Sequence, residues 1–228
     1  MISVVIPYKE DPYDDGYRKK NFDYVKKQFK WYCPEAEIII GEDTSGEKDF
    51  CRSHSINDGV HKSKGDILII TDCDILINKQ IIDRAINQLS NSPFVIPFGR
   101  CLDFTPECTD KILENHNFEQ EINIAKYEDQ ARLVRDIRKG NGKLIEEVAG
   151  GISVMTRKFF DEIGGFDERF TGYAYEDTMF CLKAKKLLGN YSILEDEWIG
   201  HLWHLRNFRL NFDNKKLYEE EKQRLENE

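Results

Sequence analysis

Two carboxylates lie two residues apart in Asp72-Cys73-Asp74, directly after the apolar run from Ile67 to Thr71. A buried strand would present both at its carboxyl end, where their charges repel and a cation is the natural compensation. Hard oxygen ligands suit Mg²⁺ or Mn²⁺, which keep open positions for water and substrate phosphates. Aspartates that follow a strand also cap turns and helices, so the pair alone leaves a metal site and a capping role open.

A second acidic pair, Glu176-Asp177, opens a predicted helix that runs to Leu188. The helix dipole favours acids in the first turn, which would explain the pair by capping. The alternative is a general base, a carboxylate that takes a proton from an acceptor hydroxyl. The two acids alone do not decide between these interpretations.

Two histidines, His201 and His204, lie three residues apart on either side of Trp203. Residues with this spacing can face one direction on a helix. Imidazole suits Mn²⁺ better than Mg²⁺. Metal ligation and a purely structural role are the two interpretations of this pair.

The elements that must position these groups follow from the apolar pattern. Short runs rich in β-branched residues predict buried strands at Ile2 to Ile6, Ile38 to Ile40, Ile67 to Thr71 and Phe94 to Phe98. Stretches of helical length and pattern lie between them, at Lys19 to Trp31 and Asn78 to Leu89. Alternating strands and helices predict an α/β fold with a mostly parallel twisted sheet flanked by helices, and ligands bind outside the carboxyl ends of such strands.

The second half of the chain begins with a strongly charged segment. We expect it to be helical from about Thr109 to Lys139 and to end at the turn Gly140-Asn141-Gly142. A second apolar block follows at Gly150 to Met155, and past His204 the chain becomes rich in Lys and Glu. This last part predicts a solvated terminal helix or tail.

Composition limits the class of protein. The 228 residues are 40% hydrophobic, enough to bury the core of one domain. The formal net charge of -9 argues against a general nucleic-acid binder. No apolar run reaches the roughly 20 residues of a membrane helix, and the six cysteines include no Cys-x-x-Cys pair. We expect reduced thiols in a cytoplasmic protein without a transmembrane segment, a state that still allows contact with a membrane surface.

Four segments, taken in order, resemble the GT-A fold glycosyltransferases, most closely the β-1,4-galactosyltransferase and polypeptide N-acetylgalactosaminyltransferase group. The first is Ser3-Val4-Val5-Ile6-Pro7-Tyr8, the second is Phe50 to Gly59 with its Phe-x-Arg and Asn-x-Gly, and the third is the D-x-D of Asp72-Cys73-Asp74. The fourth looks like the carboxy-terminal galactosyltransferase motif and comprises Gly150 to Val154, Ile163-Gly164-Gly165-Phe166-Asp167 and Glu176-Asp177. One departure stands before the acid pair, where the family's Gly-Trp-Gly-Gly is replaced by Gly172-Tyr173-Ala174-Tyr175.

The resemblance implies a GT-A type domain over residues 1–210. Its Rossmann-like half, residues 1–100, would bind the nucleotide sugar. A helical insertion would follow at 101–145, and the acceptor-binding and catalytic half at 146–210. Residues 211–228 would form the charged helix or tail.

The resemblance also implies a role for each site residue. Asp74 would bind the metal ion together with a histidine, His201 being the first choice and His204 the reserve. Asp177 would be the catalytic base, and Glu176 would orient the acceptor or the donor sugar. The donor-binding residues would be Pro7, Tyr8, Asp43, Arg52, Asp72 and Gly151. Within that set, Pro7 would line the base pocket and Asp43 would meet the uracil or ribose. Arg52 would pair with the diphosphate, and Asp72 would hold the ribose or sugar.

The implied activity is Mn²⁺- or Mg²⁺-dependent transfer of a hexose or N-acetylhexosamine from a UDP-sugar. The acceptor would be a hydroxyl of a glycan, lipid-linked glycan or protein, the anomeric configuration would invert, and Arg206 to Asp213 would form a lid. One alternative is a sugar-phosphate nucleotidyltransferase, although Pro7 to Asp11 lacks the glycine-rich loop of such enzymes. The other is a non-catalytic nucleotide-sugar-binding protein of the same fold. Against it stand the acids and the histidine that this chain keeps together, Asp72, Asp74, Asp177 and His201.

Overall fold

The computed structural model of the chain describes residues 1–10, 15–115, 117–136, 150–172, 174–205 and 211–227. Two sheets are built from ten strands: β1 Ile2–Pro7, β2 Glu37–Gly41, β3 Ile67–Thr71, β4 Ile75–Leu76, β5 Phe94–Ile96, β6 Arg100–Phe104, β7 Ala131–Asp136, β8 Ile152–Thr156, β9 Ser192–Ile193 and β10 Trp198–His201. The described helices are α1 Tyr17–Tyr32, α2 Arg52–Lys62, α3 Lys79–Gln88, α4 Pro106–Asn115, the 3₁₀ helix Ile124–Gln130, α5 Arg157–Ile163, α6 Glu176–Leu188 and α7 Phe212–Asn227. No helix in these ranges is both long enough and apolar enough to cross a membrane.

The larger sheet has the strand order β2-β1-β3-β8-β5-β9. Three of its five pairings are parallel, those of β1 with β2, β1 with β3, and β5 with β9, whereas β8 runs antiparallel to both neighbours. Val4, Ile69 and Val154 lie side by side across it and are fully buried. Strands covered on both faces read as continuous β-branched runs, and this explains why the apolar pattern located them. The predicted mostly parallel sheet is confirmed.

A smaller sheet of order β4-β10-β6-β7 positions the candidate site. In β10, His201 is the register partner of Ile75 in β4 and of Asp103 in β6. Because Ile75 directly follows Asp74, this register brings the strand-end aspartate beside His201. Asp74, Asp103 and His201 therefore lie together where the two sheets approach each other.

The charged segment after α4 corrects one prediction. The expected helix from Thr109 to Lys139 ends at Asn115, and Ala131–Asp136 form a strand that pairs antiparallel with β6. Ala131 and Leu133 pack against the core while Arg132 between them is exposed, a two-residue period that favours a strand. The predicted turn Gly140-Asn141-Gly142 lies outside the described residues.

The close packing of α2 on β1 has a simple cause. A Cβ atom added at Gly59 would lie 2.5 Å from Cγ1 of Val5, so only glycine allows this approach. Asn57, two residues earlier, donates from Nδ2 to the carbonyl of Phe166 at 2.9 Å and accepts from the Phe166 N–H at 2.9 Å. The Asn-x-Gly of α2 and the turn after α5 are thus joined by packing and hydrogen bonds, although the sequence analysis did not predict α2 as a helix.

Candidate active site

Three potential metal ligands lie together at the meeting point of the two sheets. One ligand atom from each of Asp74, His201 and His204 lies within 4.8 Å of the other two, and we call these residues the Asp74 cluster. Nε2 of His201 is 3.6 Å from Oδ1 of Asp74, and Nε2 of His204 is 3.3 Å from Oδ2. The structure therefore brings together all three residues that the sequence analysis assigned to metal binding.

The backbone fixes the loop that carries His204. The Leu202 N–H donates to the Asp74 carbonyl at 2.8 Å, and the Trp203 N–H donates to Thr109 Oγ1 at 2.8 Å. Nδ2 of Asn21 in α1 donates to the Trp203 carbonyl at 3.0 Å. His201 ends β10 and His204 lies in the loop after it, so the two histidines are brought together by a strand end and a loop, whereas the sequence spacing had suggested a helix.

The chemistry of the Asp74 cluster fits a divalent cation. Asp74 is buried, and its Oδ1 has no hydrogen-bond partner among the described residues. Burial alone would raise the pKa of Asp74, but the imidazoles of His201 and His204 and the Arg18 guanidinium hold it below its ordinary value. Burial lowers the pKa of His204, which favours the neutral imidazole that a metal requires. An ionised carboxylate and two imidazoles form a donor set suited to a divalent cation.

His201 has a partner that the sequence analysis missed. Its Nδ1 lies 2.8 Å from Oδ1 of Asp103, a residue of β6 whose side chain is 14% exposed. A carboxylate on one ring nitrogen of a histidine orients the other nitrogen toward a metal. No spacing in the sequence connects these two residues, because their contact arises from the pairing of β6 with β10.

A second cluster surrounds Arg52, the first residue of α2. Its Nε lies 2.7 Å from Oδ1 of Asp72, and its Nη1 lies 2.5 Å from Oδ1 of Asp177 and 3.6 Å from Oε1 of Glu176. We call these four residues the Arg52 cluster. The side chain of Arg52 is 14% exposed, so one nearly buried guanidinium binds carboxylates from the turn after β3 and from α6. Asp72 from the first predicted acid pair and both acids of the second therefore lie around a single guanidinium.

Burial sets the protonation of two acids in the Arg52 cluster. It raises the pKa of Glu176 to about 7, with a further contribution from the charge of Asp177. Burial also raises the pKa of Asp72, and the charge of Arg52 opposes this rise. Glu176 is therefore a carboxyl group that exchanges its proton near neutral pH in the free protein.

The two clusters are connected by the turn after β3, since Asp72 belongs to the Arg52 cluster and Asp74 to the Asp74 cluster.

The chain matches the sequence profile described as "Glycosyltransferase like family 2" over residues 32–218. It belongs to this family. No match was found among curated protein sequences.

Solved structures support the fold of this glycosyltransferase-like family 2 protein. A mutant of the Drosophila β1,4-galactosyltransferase 7, in complex with manganese, UDP-Gal and xylobiose, matches it with a TM-score of 0.56 at 13% identity, over 95% of this chain and 79% of that chain. S. aureus TarS 1-349 in complex with UDP-GlcNAc matches with a TM-score of 0.53 at 14% identity, over 94% of this chain and 60% of that chain. The predicted GT-A fold is confirmed.

The remaining predicted donor residues of the family 2 protein lie along the same strand ends. Pro7 ends β1, and Tyr8 stacks on Phe22 with ring centroids 4.0 Å apart. Gly151, at φ +82°, precedes β8, and its carbonyl accepts the Asp72 N–H at 2.7 Å. Pro7, Tyr8 and Gly151 therefore lie near the turn that carries Asp72. Their contacts with the donor sugar nucleotide stay predictions.

Asp43 has a structural role in the free protein. Its side chain is 3% exposed; Oδ1 accepts from Ser45 Oγ at 2.6 Å and Oδ2 accepts from the Cys51 N–H at 3.0 Å. Burial would raise the pKa of Asp43, but these hydrogen bonds and Lys9 hold it below its ordinary value. Asp43 thus orders the loop that leads into Arg52, and its contact with uracil or ribose stays a prediction.

Two further predictions concern residues outside the described ranges. Of the predicted lid, Arg206 to Leu210 lie outside them, while Phe212 and Asp213 begin α7. Of the segment before the acid pair, Tyr173 is likewise not described. The lid therefore stays a prediction.

Proposed function

We propose that this protein is a divalent-metal-dependent glycosyltransferase that moves a hexose or N-acetylhexosamine from a UDP-sugar to a hydroxyl group of a glycan, lipid-linked glycan or protein. The observation that carries the proposal is the adjacency of the Asp74 cluster and the Arg52 cluster, joined through the turn Asp72-Cys73-Asp74. Displacing a nucleoside diphosphate from a sugar needs charge stabilisation on one side and proton removal on the other. The Asp74 cluster would bind the cation that stabilises the charge, and the carboxylates of the adjacent Arg52 cluster would remove the proton.

The Asp74 cluster would hold the cation, and its imidazoles favour Mn²⁺ over Mg²⁺. When bound, such an ion stabilises the negative charge that develops on the diphosphate leaving group. Arg52 would supply further positive charge to the diphosphate, since a guanidinium fork matches phosphate oxygens. Asp72 would then hold the ribose or the donor sugar.

The Arg52 cluster would supply proton transfer. As the acceptor oxygen attacks the anomeric carbon, its proton passes to Asp177, and the bond from that carbon to the diphosphate breaks on the opposite face. Attack in line inverts the anomeric configuration. Glu176, whose pKa is about 7 in the free protein, would donate its proton in a hydrogen bond to the acceptor or to the donor sugar. Arg52 would fix the orientation of Asp177 through their 2.5 Å contact.

Proteins of the same fold support the choice of substrates. The Drosophila β1,4-galactosyltransferase 7 is described with manganese, UDP-Gal and xylobiose, and S. aureus TarS is described with UDP-GlcNAc. A UDP-sugar donor and a glycan acceptor are therefore the first substrates to try. We also propose a reducing, cytoplasmic setting, because the six cysteines are buried and form no disulfide among the described residues.

Two substitutions test the separate roles proposed for Asp177 in proton transfer and for Asp74 in metal binding. Asp177→Asn should reduce sugar transfer by at least about a hundredfold, the usual size of a general-base contribution, while calorimetry with Mn²⁺ still detects donor binding. Asp74→Ala should abolish the Mn²⁺ dependence of donor binding. Glu168→Gln, a substitution of an acid with a half-exposed side chain, serves as the control. Transfer at the wild-type rate by Asp177→Asn would remove this residue from the role of base.

A further inference from the structure

The backbone just before the acid pair has an unusual conformation. Ala174 has φ 91° and Tyr175 has φ 75°, and among the residues that the structure describes they are the only non-glycine residues with positive φ. Side chains disfavour this left-handed region, and such residues persist only where the surroundings hold them. Tyr175 is also the N-cap residue, directly before α6 begins at Glu176. Its conformation therefore decides where Glu176 and Asp177 point.

The C-terminal helix α7 holds this turn. Nδ2 of Asn214 donates to the carbonyl of Thr171 at 3.0 Å and to that of Ala174 at 2.9 Å. The amide is nearly inaccessible, since Asn214 is 1% exposed. One buried side chain thus bridges both ends of the turn.

An aromatic contact adds to the amide bridge. The ring of Tyr218, one helical turn after Asn214, lies 5.3 Å from the ring of Tyr175. Tyr218 is buried with Phe170 and Met179 in a small apolar cluster separate from the main core. The segment predicted as a solvated terminal helix or tail is a helix, and one face of it is buried against Phe170 and Met179.

We propose that α7 belongs to the catalytic apparatus, with Asn214 as a positioning residue that holds Ala174 and Tyr175 in the left-handed conformation and so places Glu176 and Asp177 on Arg52. The proposal rests on the proposed glycosyl transfer for its kinetic consequence only. The hydrogen bonds it requires exist whether or not the protein is an enzyme.

Other contacts dock α7 independently of Asn214. Nη1 of Arg169 lies 2.8 Å from Oε1 of Glu221, and Nζ of Lys186 donates to the carbonyl of Leu225 at 2.7 Å. Substituting Asn214 should therefore release the turn while α7 remains in place. This separates a positioning role from a general contribution to folding.

The test compares Asn214→Leu, which keeps the approximate volume and removes both donated bonds, with Lys215→Ala on the exposed face of the same helix. Hydrogen exchange of peptides covering 171–177 should become faster in Asn214→Leu and stay unchanged in Lys215→Ala. The kcat for UDP release in Mn²⁺, from UDP-galactose or UDP-N-acetylglucosamine, whichever the wild type hydrolyses, should fall by at least about tenfold, because displaced catalytic groups cost rates of this size or more. The KM for the donor should change by a smaller factor than kcat, because the Asp74 cluster that would hold the metal ion lies outside this turn.

Adding Ala174→Gly to Asn214→Leu should restore a large part of kcat, since glycine adopts positive φ without a supporting contact. Asn211→Ala removes the Nδ2 bonds to the Thr171 carbonyl at 3.0 Å and to Thr171 Oγ1 at 3.3 Å, and the bond that Oδ1 accepts from the Asp213 N–H at 3.0 Å. It leaves both Asn214 bonds in place, so it should give a smaller effect in the same direction and serves if Asn214→Leu does not fold. Unchanged exchange in 171–177 would overturn the proposal, as would faster exchange throughout the chain with no rescue by glycine. If wild-type protein releases no UDP, the proposed function fails, whereas the exchange experiment still tests the role of Asn214.

Discussion

Oδ1 of Asp103 lies 2.8 Å from Nδ1 of His201, and the other ring nitrogen of this histidine faces Asp74. The charge of Asp103 at this distance favours the ring proton on Nδ1, which leaves the Nε2 lone pair for a metal ion. Asp103 therefore favours one tautomer of His201 and orients its ring, although Asp103 is not a member of the Asp74 cluster.

We expect Asp103→Ala to weaken Mn²⁺ binding by about 10- to 100-fold, the usual effect of removing such a partner. Mn²⁺ affinity, measured by electron paramagnetic resonance on the free protein, gives the answer without any substrate. Asp103→Asn, which keeps a side-chain oxygen near Nδ1, should weaken Mn²⁺ binding less than Asp103→Ala does.

Arg132→Ala is the matched control, because Nη2 of Arg132 contacts the other oxygen of Asp103 at 3.2 Å from an exposed position. Its Mn²⁺ affinity should stay near that of the wild type. Equal affinities for Asp103→Ala and wild type would contradict the role assigned to Asp103.

Removing Arg52 should destabilise the protein in a pH-dependent way. Arg52→Ala leaves Asp72, Glu176 and Asp177 without the guanidinium they surround. Loss of one partner of a buried ion pair costs about 3 to 5 kcal/mol, and we expect a loss of unfolding free energy of this order at pH 8. At pH 5 the loss should be smaller, because acids with a raised pKa then carry protons. Urea unfolding at both values measures this, and a loss independent of pH would contradict it.

Glu176 makes the stability of the folded protein depend on pH with a defined sign. The pKa of this acid is about 7 in the folded protein and 4.5 in its ordinary state. Between these values the folded chain keeps a proton that the unfolded chain has lost, so the free energy of unfolding falls as the pH rises. Glu176→Gln removes this titration. The variant should gain stability relative to wild type from pH 5 to pH 8, by on the order of 3 kcal/mol for a shift of this size.

Urea unfolding of metal-free protein across this pH range measures the difference. Glu168→Gln, at a half-exposed side chain of the same sign, should show a nearly constant difference from wild type. A constant difference for Glu176→Gln as well would mean that Glu176 titrates normally in the folded state.

Much of the first half of the fold could be predicted from the sequence because its strands are buried on both faces. Ile67–Thr71 is found where the apolar run placed it, and Glu176–Leu188 is a helix with the predicted bounds. The meeting of Asp74 with His201 was also predicted, from the order of motifs in a related family, whereas His204, predicted only as the reserve ligand, lies beside them as well. Local pattern and motif order were sufficient for these features.

The missed features all depend on contacts between distant parts of the chain. Asp103 acquires its role from the pairing of β6 with β10, and Asn214 acquires its role from the packing of α7 against the turn at Ala174. In the sequence, α7 is a run of Lys and Glu with few apolar residues, so its buried face went unnoticed. No local pattern contains such information.

The central claim is metal-dependent sugar transfer from a nucleotide sugar by the two joined clusters. Its most direct test is UDP or GDP release from a panel of UDP- and GDP-sugars by the wild-type protein, with Mn²⁺ and after addition of EDTA. We expect release from at least one UDP-sugar that requires Mn²⁺ and that Asp74→Ala lacks. Release from none of the donors, or release that is unaffected by both EDTA and Asp74→Ala, would contradict the account.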